Sequence, residues 1–232
     1  MEQNSAKVFS ENWNIYKKVV QYNYMHHAEF ANKTAAVFRT LMVKKSLRIL
    51  DIGCGDASVL LPNIKRFSGI SYTGYDLSSA ALQLAAQHLE REKIPVALKE
   101  GDMRLLIQEE KNVFDVIHSS FAIHHLQDNE KRKLIAKCFE RLTGGGKMIY
   151  VDVFRQAGIS RDKYIEDYFS YIRNNWPLLT ANEKQPIFEH VEKYDFPSNE
   201  METISWAESA RFSLSERYEP DHLHTMLVLI KK

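Results

Sequence analysis

The chain has 232 residues, 44% of them hydrophobic and 26% charged, with 31 Lys+Arg against 30 Asp+Glu and a formal net charge of +1. That composition supports a sizeable core and excludes a wholly disordered chain, and the near-zero charge lacks the long-range field of a dedicated nucleic-acid binder. Two cysteines, Cys54 and Cys138, are too few for a disulfide framework or a Cys-rich zinc site; with no apolar leader and no run of 18 apolar residues, the expectation is a cytoplasmic protein with no membrane partner.

In chain order, Trp13, Tyr16, Val20 and Tyr24 recur at helical spacing, as do Phe30, Val37, Phe38, Leu41 and Met42. Two opening helices are expected. From residue 47 short apolar runs alternate with helical stretches: 47–52, 70–75, 94–98, 114–118 and 147–154. Between the second and third runs, Leu82, Ala85, Ala86 and Leu89 share one helical face behind the N-cap region Asp76-Leu77-Ser78-Ser79. A further helix over 128–142 carries Leu134, Ile135, Cys138, Phe139 and Leu142, and Gly144-Gly145-Gly146 is expected to end it. Alternation of this kind indicates a parallel sheet covered on both faces. It stops after residue 154, where Tyr164, Ile165, Tyr168, Phe169 and Ile172 form one helical stripe and Ile187, Phe188 and Val191 a second. A short helix near 200–210 and two alternating runs, 212–218 and 223–230, close the chain, with Pro220-Asp221 turning between them.

The sharpest local feature is the strand-turn-helix sequence Ile49-Leu50-Asp51-Ile52-Gly53-Cys54-Gly55-Asp56-Ala57-Ser58. Glycines at such a turn let the chain bend tightly and let a ligand approach without meeting a Cβ, and the amides of a following helix would face the same spot. A dinucleotide fingerprint would place a third glycine where Ser58 stands, and Asp51 at the strand end disfavours a phosphate while suiting an ammonium group. Asp76, about twenty residues on, is placed to accept hydrogen bonds from ribose hydroxyls. Asp102 is placed to accept from an exocyclic adenine amine, with Met103 packing on the ring. Any one of these carboxylates taken alone reads better as a cap or turn residue than as a ligand; three at successive strand ends favour a shared site.

At this point the chain resembles the class I S-adenosylmethionine-dependent methyltransferases, through LDIGCGDAS, GYDLS, EGDM, FDVIHSSFAIHHL and LTGGGKMIYVDVF, which together span about residues 47–154. Ala57 departs from the pattern, standing where many members carry a third glycine. The resemblance implies a doubly wound, seven-stranded, mostly parallel α/β sheet in the order 3-2-1-4-5-7-6, with the last strand antiparallel. It further implies a helical lid segment over 1–45, a methyltransferase domain over 46–232 and a helical insertion at about 155–200. By the same likeness S-adenosylmethionine is the cofactor: Asp51, Gly53, Cys54 and Gly55 hold its methionine portion, Asp76 and Leu77 the ribose, Asp102 and Met103 the adenine, and Ser119 and Phe121 the strand-four edge beside the sulfonium.

The acceptor side is read from the residues around that core. His124-His125 follows the fourth strand; one of the pair is expected to act as general base, with Asp152 near the end of strand five orienting it or sharing the role. Tyr16, Tyr22, Tyr24, His26, His27 and Tyr168 are candidates to contact the acceptor, because seven of the eleven tyrosines (16, 22, 24, 164, 168, 171, 194) fall outside the β-α core. No metal site is expected, since His222-Leu223-His224 lacks a nearby carboxylate cluster. The leading reading is a methyltransferase for a small-molecule acceptor, with no nucleic acid as partner. A protein or RNA methyltransferase and a catalytically silent cofactor-binding subunit stand as alternatives. Ser119-Ser120-Phe121 in place of a Pro-Pro-aromatic motif argues against an amino-directed nucleic-acid enzyme.

Overall fold

The computed structural model describes residues 13–41 and 45–232. Met42, residues 1–12 of the expected lid and the side chain of Trp13 lie outside the described set. The strands are β1 (Leu47–Ile52), β2 (Ile70–Asp76), β3 (Val96–Glu100), β4 (Phe114–Ser120), β5 (Leu142–Val153), β6 (Phe212–Tyr218) and β7 (His224–Lys231). They form one sheet in the order β3-β2-β1-β4-β5-β7-β6, parallel except for β7, which runs antiparallel to both β5 and β6.

The helices are α1 (Trp13–Gln21), α2 (His27–Leu41), α3 (Leu61–Ile64), α4 (Ser79–Arg91), α5 (Met103–Glu109), α6 (Asp128–Arg141), α7 (Arg161–Asn175), α8 (Ala181–Tyr194) and α9 (Glu200–Ser209). Strand alternation sorts the core between the two faces of the sheet. Ile49, Ile149, Val151, Met226 and Val228 meet Phe38 of α2, Ile64 of α3 and Leu89 of α4 on one side. Leu50, Ile52, Met148, Tyr150, Leu227 and Leu229 meet Ile107 of α5, Ile135 and Cys138 of α6 and Ala207 of α9 on the other.

A third apolar cluster lies beyond the C-terminal ends of the parallel strands. There Val19 of α1 packs with Tyr164, Tyr168, Ile172 and Trp176 of the α7 region, Val191 of α8 and Leu223. Tyr24 stacks on Trp176 with ring centroids 4.9 Å apart and planes 6° from parallel. The N-terminal helices and the insertion therefore pack on each other over the sheet edge where α/β folds bind ligands.

Two expectations change. The glycine run does not end α6: the helix stops at Arg141, Leu142 already pairs with Phe114, and Gly144–Gly146 belong to β5. A register shift between Phe114 and Val116 absorbs the irregularity, and Gly145 takes a left-handed φ of +75°. After the first glycine turn the chain does not enter a full helix. It passes through turns into α3, a single turn of four residues, too short to direct a helix dipole at a ligand. No described helix is long and apolar enough to cross a membrane.

Candidate active site

β1 delivers Asp51 to the sheet edge, and the chain then turns through Gly53-Cys54-Gly55. Tyr75 of β2 holds this turn by accepting from the amides of Gly53 (2.8 Å) and Cys54 (3.0 Å), and the Asp76 carboxylate accepts from Gly55 N (2.8 Å). Because β2 occupies these amides, the turn is not a nest of donors waiting for phosphate. Both glycines have left-handed backbones, at φ +70° and +53°. A Cβ on Gly53 would lie 2.2 Å from the Cβ of Ala122, whereas one on Gly55 would meet no heavy atom within 4 Å. The first glycine lets two loops touch, and the second keeps a cradle open. Ala57 takes φ +61°, the conformation a third glycine would adopt most easily.

The cradle opens into a cleft of about 940 Å³ lined by Asp51, Gly53, Cys54, Gly55, Asp76 and Leu77, with Met103 and Phe121 among its further walls. Asp51 is buried with both carboxylate oxygens engaged, accepting from the Tyr72 hydroxyl (2.7 Å) and facing His118 Nδ1 (2.7 Å). Asp76 accepts from Ser78 N through its second oxygen (2.8 Å), and burial, with the nearby Asp51 charge, raises its pKa above the usual carboxylate value although the backbone donors oppose this. Cys54 is buried with its thiol pushed well up by burial, the state of an inert filler.

Two of the expected cofactor residues stand elsewhere. The Asp102 carboxylate caps α5, accepting from Arg104 N (2.8 Å), and pairs with the Arg104 guanidinium, so Gly101 and Met103 line the cleft and Asp102 does not. Ser119 is fully buried and donates to the Ile52 carbonyl (2.9 Å), stitching β4 to β1. The next residue, Ser120, faces the cleft instead, as strand alternation requires.

A second cavity of about 760 Å³ adjoins the first and shares Tyr16, Phe121, His125 and His190 with it. Its remaining lining is mainly apolar and aromatic, including Val19, Met25, Tyr168, Trp176 and Ile187. Phe121 reaches the shared wall from a left-handed φ of +51°, immediately after β4. Of the expected acceptor contacts, Tyr16 and Tyr168 line this cavity. Tyr22 packs on Tyr24, and Tyr24 accepts from Leu178 N. His26 pairs with Asp221 (3.0 Å), and His27 is buried between Tyr16 and Phe121 with neither ring nitrogen hydrogen-bonded. These four serve packing among α1, α2 and the insertion.

The histidine pair occupies a short 3-10 turn, Ile123–His125. His124 Nδ1 lies 2.5 Å from Asp152 Oδ1, its backbone N donates to Asp152 Oδ2 (3.0 Å), and its Nε2 lies 3.5 Å from Asp195 Oδ1. Burial pulls its pKa down, but the Asp152 and Asp195 charges more than offset this and leave it raised. Both ring nitrogens of His124 are turned to carboxylates, and its ring lines the second cavity beside Asp195. Asp152 is wholly buried and lines neither cavity; its geometry is that of a residue orienting His124. His125 borders both cavities, with Nδ1 3.2 Å from the Tyr194 carbonyl oxygen and 3.2 Å from Asp195 Oδ1.

Asp195 and His190 were not legible in the sequence. They arrive from the insertion some seventy residues downstream, and no local spacing ties them to His124-His125. Burial raises the Asp195 pKa, yet the surrounding histidines prevail and hold it near 2. The carboxylate expected to be missing near His224 is also present: Asp221 accepts from His224 Nδ1 at 2.9 Å.

A seven-stranded sheet in this order, with acidic residues at successive strand ends around an open glycine turn, is the architecture of class I methyltransferases. A family profile described as a methyltransferase domain matches residues 49–146. An uncharacterized methyltransferase of Bacillus thuringiensis (strain Al Hakam) is 28% identical over 159 residues, covering 68% of this chain and 72% of its own. Magnesium protoporphyrin IX methyltransferase (ChlM) from Synechocystis PCC 6803, solved with bound SAH, superposes over 100% of both chains with a TM-score of 0.70 at 14% identity. An O-methyltransferase family 2 protein from Planctomyces limnophilus DSM 3776, solved in complex with apigenin, matches 82% of this chain with a TM-score of 0.58 at 16% identity; this chain spans about half, 51%, of that protein. The chain is an S-adenosylmethionine-dependent methyltransferase of class I, and S-adenosylmethionine is its cofactor.

Proposed function

We propose that the protein methylates a small, largely apolar or aromatic acceptor bound in the second cavity, using S-adenosylmethionine bound in the first. The observation that carries this reading is the wall common to both cavities, where Tyr16, Phe121 and His125 would stand beside the transferring methyl group. The open face of Gly55 and the carboxylates of Asp51 and Asp76 suit a cationic nucleoside, with Leu77, Gly101 and Met103 flanking the base and ribose. One structural neighbour is a magnesium protoporphyrin IX methyltransferase and another was solved in complex with apigenin; both molecules are ring systems, which agrees with an aromatic-lined cavity.

The cofactor supplies a methyl group on a sulfonium: an in-line attack breaks the sulfur–methyl bond, the electron pair stays on sulfur, the acceptor heteroatom gains the methyl and its proton departs. For a hydroxyl or ammonium acceptor that proton leaves through the His125–Asp195 cluster, because His125, unlike His124, borders both cavities. Asp152 holds His124 from behind and acts as a positioning residue. Tyr168 and Trp176 shape the cavity that orients the ring.

The test separates the two cavities. Ile187→Trp places an indole in the acceptor cavity; we expect transfer of labelled methyl to acceptor pools to fall by at least tenfold while calorimetric affinity for S-adenosylhomocysteine stays within threefold. Unchanged transfer in Ile187→Trp would show that the acceptor binds elsewhere, as a protein or nucleic-acid substrate approaching from solvent would.

A further inference from the structure

Three histidines converge on one buried carboxylate oxygen at the wall between the cavities. Asp195 Oδ1 lies 3.2 Å from His125 Nδ1, 3.5 Å from His124 Nε2 and 3.7 Å from His190 Nε2. Asp195 is buried, and this oxygen meets no donor with hydrogen-bond geometry, although His125 Nδ1 is within reach; the ring's hydrogen is aimed at the Tyr194 carbonyl instead. An unsatisfied buried carboxylate oxygen ordinarily costs folding free energy, and its retention among imidazoles calls for a cation.

From this we infer that His124, His125 and Asp195 form a site for one divalent first-row transition-metal ion, facing the acceptor cavity. The ligand atoms of these three residues all lie within 4.8 Å of one another. A tetrahedral ion with bonds of about 2.0–2.2 Å sets its ligands roughly 3.4 Å apart, and the two distances from Asp195 Oδ1 within the set, 3.2 and 3.5 Å, fit that spacing. His190 stands a little further out as an additional imidazole. Two imidazoles and one carboxylate favour zinc, cobalt, nickel or iron(II) over magnesium or calcium, which prefer all-oxygen shells.

The surroundings match what metal-bound imidazoles require. Asp152 takes the far nitrogen of His124 at 2.5 Å, fixing which nitrogen faces Asp195, as carboxylate partners of metal-ligating histidines do. Lys131, fully buried, donates to the Phe196 carbonyl and to Ser198 Oγ, pinning the chain just after Asp195. Coordination asks one change of the apo geometry: His125 Nδ1 must give up its hydrogen bond to Tyr194. The second grouping, His26, His224 and Asp221, is different in kind, because both Asp221 oxygens already accept hydrogen bonds, from Leu223 N, His224 N and the Tyr171 hydroxyl among others.

This inference rests on the acceptor placement proposed above, and it specifies how the cluster removes the proton: an acceptor oxygen or sulfur coordinated to the ion loses its proton to water at lower pH and attacks the sulfonium methyl as the anion. The experiment titrates chelator-treated full-length protein with Co²⁺, reading the visible d–d absorption together with calorimetry. We expect one saturable Co²⁺ per chain, displaced by Zn²⁺. Asp195→Asn and His125→Ala should each weaken binding by at least about 100-fold, Asp152→Asn by about 10–100-fold without changing the band shape, and His26→Ala by nothing measurable. No saturable band in the wild type, or equal binding by Asp195→Asn and His125→Ala, overturns the site. S-adenosylhomocysteine binding to the metal-free protein and the Ile187→Trp transfer assay report separately on the proposed function.

Discussion

Gly53 and Gly55 share a backbone conformation and differ in what surrounds them, so their substitution should fail in different ways. Gly53→Ala places a methyl 2.2 Å from the Ala122 Cβ at φ +70°. The left-handed backbone alone costs about 1–2 kcal/mol, and the overlap adds to it, so a stability loss above about 2 kcal/mol is expected from urea unfolding. Gly55→Leu starts from a Cβ position with no heavy atom within 4 Å, so its stability cost is mainly the backbone term, about 1–2 kcal/mol. Its affinity for S-adenosylhomocysteine should fall by at least tenfold, because the side chain fills the cradle. Equal stability losses without a difference in cofactor affinity would contradict this division of roles.

His27 offers a second residue-scale test. It is buried with neither ring nitrogen partnered, and burial, helped by the neighbouring His224 and His26, lowers its pKa from 6.5 to about 4. The unfolded chain therefore binds a proton near pH 6.5 that the native ring refuses until about pH 4, so stability falls as pH drops through that window. At about 1.36 kcal/mol per unit the full effect is on the order of 3 kcal/mol. His27→Phe keeps the ring contacts with Tyr16 and Phe121 and should remove this acid-dependent loss. Urea midpoints measured from pH 7 to 4 would show a flatter profile for the variant; parallel profiles would contradict the reading.

Among the elements, β1, β2, β4 and β5 were legible because short runs rich in apolar residues alternate with helical stretches, as a parallel sheet covered by helices requires. α4 was legible from its Ser78 cap, whose Oγ does accept from Ala81 N. The misreadings have physical causes. Gly144-Gly145-Gly146 carries a helix-stop signal, but pairing of Leu142 with Phe114 drew the glycines into β5. The helix expected after Gly55 dwindled to α3 because residues 56–60 fold into turns held partly by Ser58 N donating to Asp56 (3.0 Å).

The docking of α1 on the insertion belongs to the same scale. Trp176 is almost fully buried and joins the stacked Tyr24 to Tyr168 and the cluster around Val19. Trp176→Ala should remove about 3–5 kcal/mol of local packing. Amide exchange should then accelerate over α1, α7 and α8 while protection in β1, β4 and β5 persists. Uniform acceleration across the sheet would mean that these helices are one cooperative unit with the core.

For the molecule as a whole, the sequence disclosed much of the lining of the first cavity and little of the second. Asp51, Gly53, Gly55, Asp76 and Met103 lie within a span of 53 residues at the ends of three neighbouring strands, so local motifs carried them. Asp102 and Ser119 were misplaced by one position each, because a cap and a pleat decide which of two neighbours faces the cleft. His190 reaches the shared wall, and Asp195 the second cavity, only through the packing of the insertion, which no short-range spacing encodes. The tyrosine bias was informative in aggregate, yet only Tyr16 and Tyr168 of the singled-out tyrosines face the second cavity.

The adjoining cavities make the most direct test a crystal structure with bound S-adenosylhomocysteine. The sulfur should sit at the wall formed by Tyr16, Phe121 and His125, with its methyl-bearing side open toward Tyr168, Trp176 and Ile187. A sulfur facing bulk solvent, or one sealed from that second cavity by the protein, would contradict the arrangement of donor and acceptor argued above.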